Sequence, residues 1–107
     1  MRKQAFVLAL VFSLAPVALA QTKVDAKQKY QQMCAICHGG NGKSQTPMGK
    51  NVGAADLTAA KTQSMSDADL TTVIEKGKGK MPAYGNVLGK DGTAAMLKYV
   101  RAMKTAK

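Results

Sequence analysis

The residues best suited to chemistry lie in one short run, Cys34-Ala35-Ile36-Cys37-His38, which holds both cysteines and the one histidine of a 107-residue chain. On a helical turn, positions i, i+3 and i+4 share a face. Both thiols and the imidazole therefore point the same way. Two thiols so placed can add to the two vinyl groups of a porphyrin edge, leaving the imidazole beneath the ring and within reach of iron. Cysteine, two residues, cysteine and then histidine reads as a haem attachment site. Three plainer readings compete. A closed zinc site needs four protein ligands, so here it would need an acidic fourth. A thioredoxin-like pair needs strand–helix–strand units, and no segment reads as a strand. A lone disulfide stays open.

Because His38 is the one histidine, a bis-histidine haem within this chain is excluded. The sixth ligand is then methionine, lysine, water or nothing. Beyond the N-terminal segment the methionines are Met33, Met48, Met65, Met81, Met96 and Met103, and core packing is what methionine usually does. Met33, Met96 and Met103 fall on inner helix faces, and Met65 precedes a helix cap. Met81 differs, lying in Gly77-Lys78-Gly79-Lys80-Met81-Pro82-Ala83-Tyr84-Gly85. Glycines allow close backbone approach to a cofactor, and Pro82 biases Met81 towards an extended backbone. The segment is far enough from His38 to cover the opposite face of the ring. Met81 is the leading choice, with Met48 in reserve and a packing role as the plain alternative. Histidine–methionine ligation raises the reduction potential and fills the position where oxygen or peroxide would bind.

Several helices must position these groups. The first is expected from near Thr22, with Asp25 in a capping-box-like place, and Ala26, Tyr30, Met33 and Cys37 on its buried face; Gly39, Gly40 and Gly42 end it. Residues 41–55 read as a loop, followed by a short helix over residues 55–62. Ser66 is a good N-cap, with Asp67 and Asp69 in the first turn and Leu70, Val73 and Ile74 as the apolar ridge. Lys76 and Gly77 suit its end. Residues 78–90 read as a glycine-broken loop. A last helix begins near Asp91 or Thr93 and runs to about Thr105, with Met96, Leu97, Val100 and Met103 inward beside Tyr99.

The N-terminus has the form of a signal peptide: Arg2 and Lys3, an apolar run over residues 5–15, then Ala18-Leu19-Ala20 before Gln21. Cleavage leaves residues 21–107 as one domain, and the apolar run is too short to span a bilayer; retention as an anchor is the alternative. Without a tryptophan, and with both phenylalanines in the leader, the domain has a thin core of tyrosines, methionines and small aliphatics. Small domains commonly add a metal, disulfide or cofactor, and a flat apolar cofactor would supply the missing contacts. The formal charge of +10, less the two charges of the leader, suggests an acidic partner or anionic surface. Nucleic acid fits poorly, since no basic, aromatic-rich stripe is present.

Taken together, residues 21–107 resemble the class I monohaem c-type cytochromes, of the small bacterial and c6-like kind. The resemblance rests on Tyr30 four residues before the first cysteine, on Cys34 to His38 and on Gly39-Gly40-Asn41-Gly42-Lys43. It continues through Ala55-Asp56-Leu57-Thr58, residues 66–70, Met81-Pro82-Ala83-Tyr84 and Tyr99-Val100. It implies an all-α fold of three to four helices around one covalently bound haem c, with the first and last helices crossing. By that likeness Cys34 and Cys37 form the thioethers, His38 is the proximal ligand and Met81 the distal one. It also implies a proline carbonyl on the histidine's other nitrogen, for which Pro47 is the candidate, and an aromatic beside the haem edge at Tyr84. Where the family often has glycine at the helix crossing, this chain has Ala26.

The expected function is single-electron transfer by a soluble, monomeric periplasmic carrier that makes no bond to a substrate and is not an enzyme. Its partners are redox proteins, with an acidic docking face meeting Lys76, Lys78 and Lys80. Rival readings are a peroxidase-like or gas-binding protein with a labile methionine, a thiol protein without haem, and a subunit of a larger redox complex.

Overall fold

The computed structural model describes residues 25–104. The proposed signal peptide and the Thr22 cap lie outside them, and the last helix ends at Arg101, short of the expected Thr105. Six helices follow in order: α1 Ala26–Met33, α2 Ala35–His38, α3 Pro47–Val52, α4 Ala60–Gln63, α5 Asp67–Lys76 and α6 Gly85–Arg101. Among the described residues the only β-type pairing is an isolated bridge, Lys78 with Met81. The chain is all-α.

Asp25 is the N-cap of α1 rather than a residue inside it, its carboxylate accepting from Gln28 N–H at 3.1 Å. The expected first helix is divided at Cys34, which closes α1 and opens α2. The bonds cross the junction: Cys34 N–H donates to Tyr30 O, and His38 N–H to Cys34 O at 2.9 Å. The helical spacing of the attachment residues therefore survives the break. Residues 41–55 are not wholly loop, because they contain α3. Thr46 caps it through Gly49 N–H, Pro47 is its first residue and Gly53 ends it in the left-handed region, the usual asymmetry of proline at the start and glycine after the end. The helix expected over residues 55–62 is one turn, α4, placed later. Ser66 caps α5 by accepting from Asp69 N–H. Gly77 ends it at φ 75°, with ψ extended. The last helix starts early, at Gly85, and kinks at Gly89 (φ 66°) before its main run.

The core is Tyr30, Leu57, Ile74, Leu88, Met96 and Val100, with Met33, Tyr84, Tyr99 and Met103 packed against it. Tyr30 on α1 is fully buried and meets the Tyr99 ring of α6 at 5.0 Å, tilted by 44°. Helices α1 and α6 thus pack together, and α5 packs on α6. The remaining inner surface does not close on itself and bounds a cavity.

Candidate functional site

That cavity has a volume of about 610 Å³, within the usual range for small-molecule and cofactor sites. Met33, Cys34, Cys37 and His38 form one wall. Val52, Leu57, Thr62 and Met65 contribute another part, Leu70, Val73 and Ile74 come from α5, and Met96 and Val100 form the back. Met81, Pro82 and Tyr84 lie on the same cavity, with Lys61, Lys78 and Lys80 at its lip. Apolar side chains dominate, and three donors stand on one turn of helix.

Local sequence explains how the wall is held. Thr46 Oγ1 donates to the carbonyls of Ile36 and Cys37, at 2.7 and 3.1 Å, while accepting from Gly49 N–H. One hydroxyl thus caps α3 and fastens it to the attachment helix. A Cβ at Gly49 would run into the Cys37 carbonyl, so only glycine permits this approach. Tyr30 OH donates to Gly39 O at 2.6 Å, fixing the turn that follows His38. Burial pushes the Tyr30 phenol well above its ordinary value, so it stays a protonated donor. Burial also pushes the Cys34 thiol up, to about 11. Cys34 and Cys37 are not joined to each other, and among the described residues no cluster of three or more His, Cys, Asp or Glu side chains is placed to hold a metal. The disulfide and zinc readings gain nothing.

The expectation for Pro47 fails. Pro47 is the first residue of α3 and does not line the cavity. His38 Nδ1 instead faces the Ala55 carbonyl at 2.9 Å. The intervening loop folds into α3, which commits Pro47 to starting a helix and brings residue 55 back over the ring. Tyr84 does line the cavity, and its hydroxyl donates to Met33 O at 3.2 Å. Met48, the reserve methionine, is 44% exposed on α3 and does not line the cavity. Met65 does line it, which its place before a helix cap did not reveal.

Met81 is presented by a tight turn. Lys78 and Met81 exchange backbone bonds at 3.1 and 2.9 Å across Gly79-Lys80, and Tyr84 N–H donates to Ile74 O at 2.9 Å. A Cβ on Gly77 would strike the Met81 carbonyl. The loop is thereby folded against the end of α5 and turned to the cavity.

Comparison with known proteins gives the context. A family model described as cytochrome c oxidase, cbb3-type, subunit III matches residues 21–100. The chain is 37% identical over 93 residues to cytochrome c6 of Rippkaea orientalis, covering 87% of this chain and 81% of the relative. The chain belongs to the class I c-type cytochromes. Cytochrome c6 of Tetradesmus obliquus is 32% identical over 74 residues, covering 69% of this chain and 82% of the relative. Among solved structures, the KustC0563 c-type cytochrome matches with a TM-score of 0.70 at 28% identity, covering 77% of this chain and all of its own. Membership brings one covalently bound haem c and the carrying of electrons rather than catalysis. The residues fit that group: two thiols and an imidazole on one face, on an apolar cavity of cofactor size. Among the described residues, no helix is long and apolar enough to cross a membrane.

Proposed function

We propose that this cytochrome is an exported, soluble, monomeric single-electron carrier of the periplasm, with Cys34 and Cys37 as the thioether attachments and His38 and Met81 as the axial ligands. Haem bound there supplies a one-electron ferric–ferrous couple. The observation that carries the reading is the sharing of one cavity by Cys34, Cys37, His38 and Met81. The chain's own residues do the rest. The Ala55 carbonyl orients the His38 ring, the Gly77–Met81 turn aims the thioether, and Leu70, Val73, Ile74 and Met96 exclude water. A soft thioether favours ferrous iron and raises the potential. Lys78 and Lys80 at the cavity lip, with Lys76 beside them in sequence, suit an acidic redox partner met in a brief, electrostatically steered encounter. Export rests on Arg2, Lys3, the apolar run and the Ala18-Leu19-Ala20 cleavage pattern.

Methionine-to-alanine variants test the ligand choice. In the ferric haem-loaded protein, Met81→Ala should abolish the long-wavelength methionine–iron charge-transfer band, while Met65→Ala keeps it. The opposite pattern would make Met65 the ligand. N-terminal sequencing of the exported protein should begin at Gln21. A second reading is favoured by the match to an oxidase subunit: permanent docking in a larger complex. Size exclusion of native extract separates the two, since a free carrier elutes near its own mass.

A further inference from the structure

Ser44 is the one described non-glycine residue at positive φ, 55°. Side chains rarely adopt that backbone, and here it is held by a hydrogen bond from Ser44 N–H to His38 O at 2.8 Å. The consequence lies in the hydroxyl. Ser44 Oγ donates to the Ala55 carbonyl, the same oxygen that His38 Nδ1 meets at 2.9 Å. Ser44 Oγ is 3.4 Å from Nδ1 itself. Were Nε2 to bind the iron, Nδ1 would carry the ring proton and act as a donor. Two donors thus share one acceptor. A carbonyl has lone pairs for both, but each donor draws on the same oxygen, so each bond is weaker than it would be alone. The bond from a ligating histidine's outer nitrogen sets the basicity of the ring, and such hydrogen bonds are one of the protein's means of setting a haem potential.

We propose that Ser44 is a positioning residue that tunes the proximal ligand: its hydroxyl competes with His38 for the Ala55 carbonyl and so keeps the reduction potential higher than a His38–Ala55 bond alone would set. This rests on the reading of His38 as the iron ligand. The position also supplies a clean variant. Glycine is at ease at φ 55°, so Ser44→Gly removes the hydroxyl and relieves the backbone together. Ser44→Ala removes the hydroxyl and keeps the backbone constraint.

The experiment compares the haem-loaded wild type, Ser44→Gly and Ser44→Ala by potentiometric titration and by proton NMR of the ferrous protein. Both variants should titrate at a lower potential, with the His38 Nδ1–H resonance moved downfield and the methionine–iron band of the ferric form retained. An unchanged or raised potential in Ser44→Gly, whatever happens to its melting temperature, overturns the proposal. If Ser44→Gly does not fold, Ser44→Ala decides by the same criterion. Wild-type spectra without haem-shifted His38 ring protons would instead overturn the ligand assignment on which the proposal rests, a failure visible before any variant is made.

Discussion

Asp56 follows the carbonyl that holds His38, and its own side chain stiffens the turn. Its Oδ1 accepts from both the N–H and the hydroxyl of Thr58, at 2.8 and 2.7 Å. These bonds, the hydroxyl's first, hold the carboxyl below its ordinary value, because they favour the charged form. A depressed folded-state value stabilises the protein above the ordinary aspartate value of about 3.9; that contribution is lost as pH falls through the lowered value. Asp56→Asn removes it. Denaturant unfolding of both proteins between pH 6 and acid should therefore show wild type ahead at neutral pH, with its lead shrinking below about pH 4. A lead independent of pH would mean that the carboxylate is not the source.

Among the elements, the Gly77–Met81 turn bears most on the site. Gly77 stands at φ 75° and Gly79 at φ 57°, but their surroundings differ. A Cβ at Gly77 meets the Met81 carbonyl and Pro82, whereas a Cβ at Gly79 meets nothing within 4 Å. Left-handed backbone costs an L side chain about 1–2 kcal/mol. Gly79→Ala should lose about that much and keep its methionine–iron band. Gly77→Ala should lose more, about 2–4 kcal/mol once the collision adds to the backbone term, and should weaken the band because the collision displaces Met81. Urea unfolding and the ferric visible spectrum measure the two effects separately.

Over the whole molecule, the stretch between α4 and α5 is fastened to α6 by polar bonds that add to the apolar packing of α5 on α6. Gln63 Nε2 donates to Leu57 O and Val100 O at 2.6 and 3.0 Å. Arg101 reaches back with Nη1 to Gln63 O at 2.8 Å and Nη2 to Met65 O at 2.5 Å, while Nε and Nη2 meet Asp67 Oδ1. The Asp67 partner is 74% exposed, and such pairs contribute little. The guanidinium bonds to two backbone carbonyls matter more, at about 1.5–3 kcal/mol for a bond to a charged group. Arg101→Ala should cost about 2 kcal/mol in thermal or urea unfolding, against under about 1 for Asp67→Ala. Arg101→Lys should recover little, since an ammonium lacks the planar fork. Because Arg101 holds the Met65 carbonyl, its loss should also loosen the cavity wall that Met65 lines.

The Cys34–His38 turn, the all-α class and the best-defined helix were legible along the chain. Cys34, Cys37 and His38 lie within about one turn, and Ser66, Asp67, Asp69 and Gly77 signal their helix within twelve residues, so local geometry was enough. Helix α3 was legible too, in Thr46-Pro47 and Gly53, but the polar glycine-bearing stretch around it read as loop. What meets His38 Nδ1 was set by the folded chain. Pro47 and Ala55 each offer a carbonyl acceptor downstream of His38, and the choice depends on how the chain returns after α3. The same holds for Met65, which lines the cavity because Arg101, from the far end of the chain, holds its backbone there. Spacing along a turn is written in the sequence; which carbonyl or thioether arrives from across the fold is set by the packing of α3 and α6.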